Sequence, residues 1–279
     1  MHHSYTYHRY KVLRERVEER LEAPVRHSNF FRRLRGMPGA RVLALHGYLQ
    51  TGSVLSSRVG HLRKSTPIKQ ACEFIFLDAP YRVEVEEEEE EEEGGARHRH
   101  VLALGDNGDG NGGVGDSAGR SWWQFRGGAS RPSASTRPSQ STKYDGIEVS
   151  VRLIERAVVE HKIDTIMGFS QGAAMAAYFC ATQDVGRLGV KRLLAYAGFL
   201  PNDARLAQQM LDRAPIPSDV VTSVWVSGDG DEIITTERSK AAAEVFEAAV
   251  FHVHPGGHMV PATRGELKTL LVDFLITRV

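Results

Sequence analysis

The sequence predicts an α/β fold: a mainly parallel sheet of about six strands with helices on both faces. Three observations carry that expectation. Short apolar runs, among them Arg41 to Leu45, Glu73 to Leu77, Leu193 to Ala197 and Val220 to Val226, alternate with segments of helical periodicity, the order that builds a parallel sheet with crossover helices. The run that begins at Ile163 passes through Gly168-Phe169-Ser170-Gln171-Gly172 straight into Ala173-Ala174-Met175-Ala176-Ala177, which reads as strand, tight turn and helix. The last two apolar runs each end in a loop rich in glycine and ionisable side chains, Ser227-Gly228-Asp229-Gly230-Asp231-Glu232 and Pro255-Gly256-Gly257-His258.

At 279 residues and 41% hydrophobic content the chain can bury one large core, read here as residues 40–279 with a basic extension, residues 1–39, ahead of it. Its formal charge of zero conceals an uneven spread. Nine glutamates lie between Glu84 and Glu93, leaving 35 basic against 26 acidic residues elsewhere. Two cysteines, Cys72 and Cys180, stand far apart in apolar surroundings; they read as reduced core thiols of an intracellular protein, not a disulfide framework. No apolar run reaches the roughly 20 residues of a membrane span and no signal-peptide pattern opens the chain, so a cytoplasmic location is expected. The extension carries nine Arg or Lys against four Glu. Mitochondrial targeting is the lesser alternative for it, because transit peptides are poor in acid.

In chain order, Arg41 to Leu45 is the first strand and stops at His46-Gly47-Tyr48-Leu49-Gln50-Thr51-Gly52. Glu73 to Leu77 is the second, ended by Asp78-Ala79-Pro80. From about residue 84 to 120 the glutamate tract, Arg97-His98-Arg99-His100 and a Gly/Asp/Asn run cannot bury enough apolar surface to offset ordering entropy, so this is an insertion. Asp106-Asn107-Gly108-Asp109-Gly110-Asn111 alternates acids as a calcium loop does, but Ser117 stands where the twelfth-position glutamate belongs, and no metal site is expected. Trp122 and Trp123 follow, candidates with Met259 for the wall of an apolar substrate pocket. A soft Ser/Pro/Arg-rich loop occupies about 127–142. Asp145 and Glu148 fit a capping box opening a helix that runs to His161, and Arg205 to Arg213 reads as another helix.

The chemistry gathers where strands end. A serine between two glycines at a strand-to-helix turn is the pattern of a nucleophile elbow, because the doubled-back chain leaves no room for a Cβ at either flank. The alanines after it let the helix approach the sheet, aiming its N-terminal N–H groups at Ser170. The loop after the first strand then supplies one oxyanion N–H, from Tyr48, and the residue after the nucleophile, Gln171, supplies the other. The order serine, aspartate, histidine that this architecture uses is met by Ser170, Asp231 and His258. His46 precedes the serine and is not read as the base. His252 and His254 share one face of the last strand and read as structural.

In Gly168-Phe169-Ser170-Gln171-Gly172-Ala173 and His254-Pro255-Gly256-Gly257-His258-Met259-Val260-Pro261 the chain resembles the FSH-type serine hydrolases among the α/β-hydrolases. The likeness extends over Leu45 to Gly52, Leu77-Asp78-Ala79-Pro80, the tryptophan pair and Tyr144-Asp145-Gly146. It implies an α/β-hydrolase fold and cofactor-free hydrolysis of a small carboxylic ester by a Ser-Asp-His triad. The resemblance aligns Asp231, not Asp229, with the triad acid. No nucleic-acid partner is expected, and the oligomeric state is left open. The alternatives are an acyl thioesterase, which shares the chemistry and differs in its pocket, and a non-catalytic binding module whose acidic tract engages basic partners. The extension, the insertion and the two-aspartate loop depart from the family pattern.

Overall fold

Six strands hydrogen bond side by side, all parallel, and the loops at their carboxyl ends form one edge. The computed structural model describes residues 40–83, 119–125 and 142–276, all inside the unit Gly39–Val279. In chain order the strands are β1 (Arg41–Leu45), β2 (Glu73–Leu77), β3 (Tyr81–Arg82), β4 (Arg120–Ser121), β5 (Gln124–Phe125), β6 (Tyr144–Asp145), β7 (Thr165–Phe169), β8 (Arg192–Tyr196), β9 (Thr222–Gly228) and β10 (Ala249–His254). The main sheet runs β10-β9-β8-β7-β1-β2. Every residue of β7 and β8 is buried, and so are four of the five in β1. Since successive side chains point to opposite faces, burial of both parities means that both faces are covered. Among the described residues no helix is long and apolar enough to cross a membrane.

The chain leaves β1 for β2 on one side, then returns to β7 on the other and builds outward through β8 and β9 to β10. The order of construction therefore reverses between β1 and β7. In open α/β sheets that reversal separates the connecting loops and opens a crevice at the carboxyl edge. Leu49, Ser170 and Ala197, which follow β1, β7 and β8, adopt φ of +58°, +53° and +48° without being glycine. Backbone strain of this kind persists where the surroundings over-determine it and gathers at functional edges.

Several local expectations are corrected. The helix Ile147–His161 is capped by Gly146, at φ +77°, and not by a box between Asp145 and Glu148, because the Asp145 backbone is committed to pairing with Gln124 in the β5–β6 ribbon. A Cβ on Gly146 would also overlap the Tyr81 hydroxyl. Strand β9 continues to Gly228, two residues beyond the apolar run, since pairing with β10 extends to Gly228 opposite His254. The predicted Arg205 to Arg213 helix is Ala204–Leu211, capped by Asp203, whose carboxylate accepts from the amides of Arg205 and Leu206. Cys180 is buried, and burial pushes its thiol up to about 12, consistent with an unreactive core residue.

The basic extension, most of the insertion and most of the soft loop fall outside the described residues. Their ends do not. Gly119 and Arg120, counted with the insertion, are ordered: Arg82 pairs with Arg120 across β3 and β4, and the Val83 amide donates to Gly119 O at 2.7 Å. Phe125 pairs with Tyr144 across β5 and β6 in the same way. Each long segment therefore leaves and re-enters the domain through an antiparallel ribbon whose two ends already touch. Joining Val83 to Gly119 by a short turn in place of residues 84–118 should leave the urea unfolding free energy unchanged or raise it by about 1–2 kcal/mol, at about 0.6 kcal/mol per halving of loop length. A clear fall in stability would show that the removed residues hold part of the core.

Candidate active site

Ser170 sits between β7 and the helix Gln171–Thr182 at φ +53° and ψ −118°, a conformation that lifts its side chain out of both elements. Its own amide donates to Tyr196 O of β8 at 2.8 Å, and its carbonyl accepts from Ala173 and Ala174 at 2.9 and 3.0 Å. The turn is thus bonded on both sides. A Cβ at Gly168 would run into the backbone of Gly172, and one at Gly172 into the carbonyl oxygens of Leu45 and His46. The two glycines serve different contacts: the first lets the chain double back, and the second lets the helix rest on the end of β1. Gln171 to Ala181 are all buried, as the alanine run predicts.

His258 Nε2 lies 2.9 Å from Ser170 Oγ, and His258 Nδ1 lies 2.7 Å from Asp231 Oδ2. The other oxygen, Asp231 Oδ1, accepts from the amides of Ile233 and Ile234 at 2.9 and 2.8 Å. An ionised carboxylate only accepts, so the imidazole proton belongs on Nδ1, and Nε2 is left to accept from the serine hydroxyl. The Asp231 side chain is wholly enclosed, while that of His258 keeps 18% of its surface open. Burial pushes the Asp231 carboxyl up, but hydrogen bonds from His258 and from the Ile234 and Ile233 amides outweigh it and leave the pKa below the ordinary carboxylate value. Asp229 is exposed and contributes its amide to His254 O. Of the two aspartates offered by the loop, Asp231 is the one that meets the histidine.

Glycines again allow the approach. A Cβ on Gly228 would strike Gly256 O, and Gly230 N donates to that same oxygen at 3.1 Å, so the acid loop after β9 and the histidine loop after β10 lock to each other through backbone.

The loop after β1 is held from several directions. The Ala79 amide donates to His46 Nε2 at 3.0 Å, which places the ring proton on Nδ1, 2.7 Å from Gly47 O. Burial lowers the His46 pKa, so it is a neutral structural post and not a base. Gly52 N donates to Asp78 Oδ1 at 2.7 Å, Leu49 N to Arg120 O at 3.0 Å, and Arg120 N to Gln50 O at 3.1 Å. The amides of Tyr48 and Gln171 donate to no oxygen of the described residues, the state required of candidate oxyanion donors.

Trp122 and Trp123 do not form a solvent-facing wall. They are 0% and 1% exposed. Trp123 stacks on Tyr144 at 4.5 Å between centroids, with Phe125 edge-on at 6.4 Å. Trp122 lies across the two halves of the site: its backbone amide donates to Gln171 Oε1 at 3.0 Å and its indole N–H to His46 O at 2.7 Å. The aromatic density signalled burial, which a pocket and a core share. Met259 is 42% exposed and lines a cavity of about 310 Å³ with His252, His254 and Leu267. That cavity is lined by none of Ser170, Asp231 or His258.

Sequence reading passed over Asp78, Arg120 and Ser121, which hold the loop and Gln171. Ser121 Oγ lies 2.9 Å from Gln171 Nε2. Their signal was adjacency to motifs already noticed, Leu77-Asp78-Ala79-Pro80 and the tryptophan pair. Among the described residues no group of three His, Cys, Asp or Glu side chains could hold a metal ion.

Residues 37–270 match a family model described as serine hydrolase (FSH1). Esterase OVCA2 of Danio rerio is 31% identical over 239 residues, covering 84% of this chain and 96% of the relative. An esterase of Anopheles gambiae is 30% identical over 242 residues, covering 84% and 76%, and Esterase OVCA2 of Homo sapiens 29% over 235 residues, covering 83% and 93%. Among solved structures, esterase PE8 superposes with a TM-score of 0.53 at 17% identity over 87% of this chain and 95% of the other. A single-substitution variant of Arabidopsis thaliana SOBER1 does so with a TM-score of 0.50 at 18% identity over 83% and 95%. These likenesses identify the α/β-hydrolase fold.

The depressed Asp231 pKa has a signed consequence. A carboxylate whose folded pKa lies below its unfolded value contributes stability that is present above the unfolded value and lost as pH falls through the folded one. Below about pH 4 the wild-type urea midpoint should therefore fall more steeply than that of Asp231→Asn. Parallel curves would mean that the site leaves this carboxyl unperturbed.

Proposed function

Because the chain belongs to the FSH1 family of serine hydrolases, we propose that it hydrolyses carboxylic esters through Ser170, His258 and Asp231 by way of an acyl-enzyme. The observation that carries this reading is the unbroken relay Ser170 Oγ, His258 Nε2, His258 Nδ1, Asp231 Oδ2, with links of 2.9 and 2.7 Å. As Ser170 Oγ attacks the ester carbonyl, Nε2 takes its proton, and the imidazolium so formed is stabilised by the buried Asp231 carboxylate. The negative charge on the carbonyl oxygen is received by the amides of Tyr48 and Gln171. Collapse of this intermediate breaks the acyl C–O bond, and the leaving alcohol takes the proton from His258. Water then enters, gives a proton to the same Nε2, and releases the acid and a free Ser170.

Two supports are independent of the distances. The relatives named above are called esterases. The strained φ at Ser170 and the enclosed carboxylate at Asp231 both cost free energy, which a mere binding module on this scaffold has no reason to retain. A thioester would pass through the same steps with a thiolate leaving, so a panel of esters and thioesters graded by acyl length decides the leaving group.

A fluorophosphonate probe should label native protein at Ser170 and leave Ser170→Ala and urea-unfolded wild type unlabelled; equal labelling of Ser170→Ala would remove the serine from its role. Asp231→Asn should cut turnover by about 10³ to 10⁴, as replacement of the orienting carboxylate does in such triads. Asp229→Asn should stay within about tenfold of wild type, since Asp229 does not reach the histidine. The reverse ranking in equally folded proteins would transfer the role to Asp229.

A further inference from the structure

The two candidate oxyanion donors come from segments far apart in the chain, Tyr48 after β1 and Gln171 after β7. Nothing covalent fixes their separation. Yet a hole of this kind works only when both amides are about 2.7–3.1 Å from the place the oxyanion will occupy, and displacement by about 1 Å is worth about a hundredfold in rate. Strands β1 and β7 pair only as far as Leu45 and Gly168, so the stretches beyond, which carry the two amides, need a further tie.

From its hydrogen bonds we infer that Trp122 is that tie: a positioning residue that couples the two halves of the oxyanion hole. Its indole N–H holds His46 O, two residues before Tyr48, at 2.7 Å. Its backbone amide holds the side chain of Gln171 at 3.0 Å, and Ser121 next to it braces the other end of the same carboxamide at 2.9 Å. Its carbonyl accepts from Ser150 Oγ at 2.5 Å, fixing the strip to the helix Ile147–His161. One residue thereby bonds the β1 loop, the elbow and a covering helix. The carbonyl it grips is also one of the two on which Gly172 rests, so the indole bond and the elbow helix meet at the same oxygen.

Packing alone does not explain this. Trp123, equally buried and adjacent, has its indole nitrogen without a partner among the described residues and is held by ring stacking. The neighbouring tryptophan thus provides an internal control for what a large buried ring does without a directed N–H.

This inference rests on the ester hydrolase reading and is tested beside it. Trp122→Phe keeps most of the ring and deletes the N–H. It should lower kcat about tenfold with KM unchanged, the scale of one hydrogen bond felt only in the transition state. Affinity for a trifluoromethyl ketone, which forms a tetrahedral oxyanion on the serine, should weaken by the same factor. Trp123→Phe, whatever it costs in melting temperature, should leave both quantities unmoved. Gln171→Ala, which releases the other end of the brace, should reproduce the loss, and the double variant with Trp122→Phe should lose less than the two single effects combined. Should Trp122→Phe not fold, Gln171→Ala carries the same kinetic and ketone readouts. A lowered melting temperature with kcat and ketone affinity intact, a change confined to KM, or full additivity would each overturn the coupling. A wild-type protein inert to esters and to fluorophosphonate overturns the hydrolase reading and this one together, whereas an active wild type with an unmoved Trp122→Phe overturns this one alone.

Discussion

The closeness with which the helix beginning at Gln171 settles onto the end of β1 governs the rest of the site. That approach is possible because position 172 has no side chain, and the carbonyl oxygens of Leu45 and His46 occupy the space a Cβ would need. It brings the N-terminus of one helix, with its unpaired amides, beside the loop that carries Tyr48. It also fixes the height of Ser170 above the sheet, and so the distance the histidine loop must span from β10, three strands away in the order β10-β9-β8-β7.

Elsewhere on the carboxyl edge the same economy of small residues recurs. The acid loop and the histidine loop meet backbone to backbone through Gly228, Gly230 and Gly256, so the Asp231–His258 contact does not depend on two independently placed side chains. Asp231 has both oxygens engaged, one by the imidazole and one by a pair of amides. Hydrogen bonds to an ionised acceptor are the stronger kind, and here they orient the carboxylate before the imidazole orients the serine. The site is built as a chain of fixed acceptors, each determining the tautomer or rotamer of the next.

Much of this was legible in the sequence because steric demands leave compositional traces. Gly168 and Gly172 around Ser170, the alanines behind them, and the glycine-flanked Asp231 and His258 all report close backbone approach, and close approach is what a site at a sheet edge needs. The parallel sheet was legible for the same reason: strands buried on both faces have no polar alternation to mask them. What escaped notice was long-range bonding by residues of ordinary type. Arg120 and Asp78 brace the β1 loop, and apart from adjacency to the tryptophan pair and to Ala79-Pro80 their local sequence does not mark that. The tryptophan pair shows another limit of composition. Aromatic density measures how much surface is to be buried, not whether the burying partner is a substrate or the protein itself. The Asp145–Glu148 box failed because its N-cap was already engaged in a β-ribbon, a competition between neighbours that a four-residue pattern does not register.

The paired exits at Val83 and Gly119 bear on how this chain can change over generations. The run from Glu84 to Glu93 is nearly uninterrupted glutamate, and low-complexity tracts of this kind are prone to changes of length. At most positions in a tightly bonded sheet such a change of length would shift the register of everything downstream. Here the two ends are already joined by a backbone hydrogen bond, so added or lost residues alter only what lies beyond the ribbon, and the strip from Gly119 to Phe125 keeps its place. The ribbon Tyr81–Arg82 with Arg120–Ser121 thus separates the register of the oxyanion loop from the length of the tract.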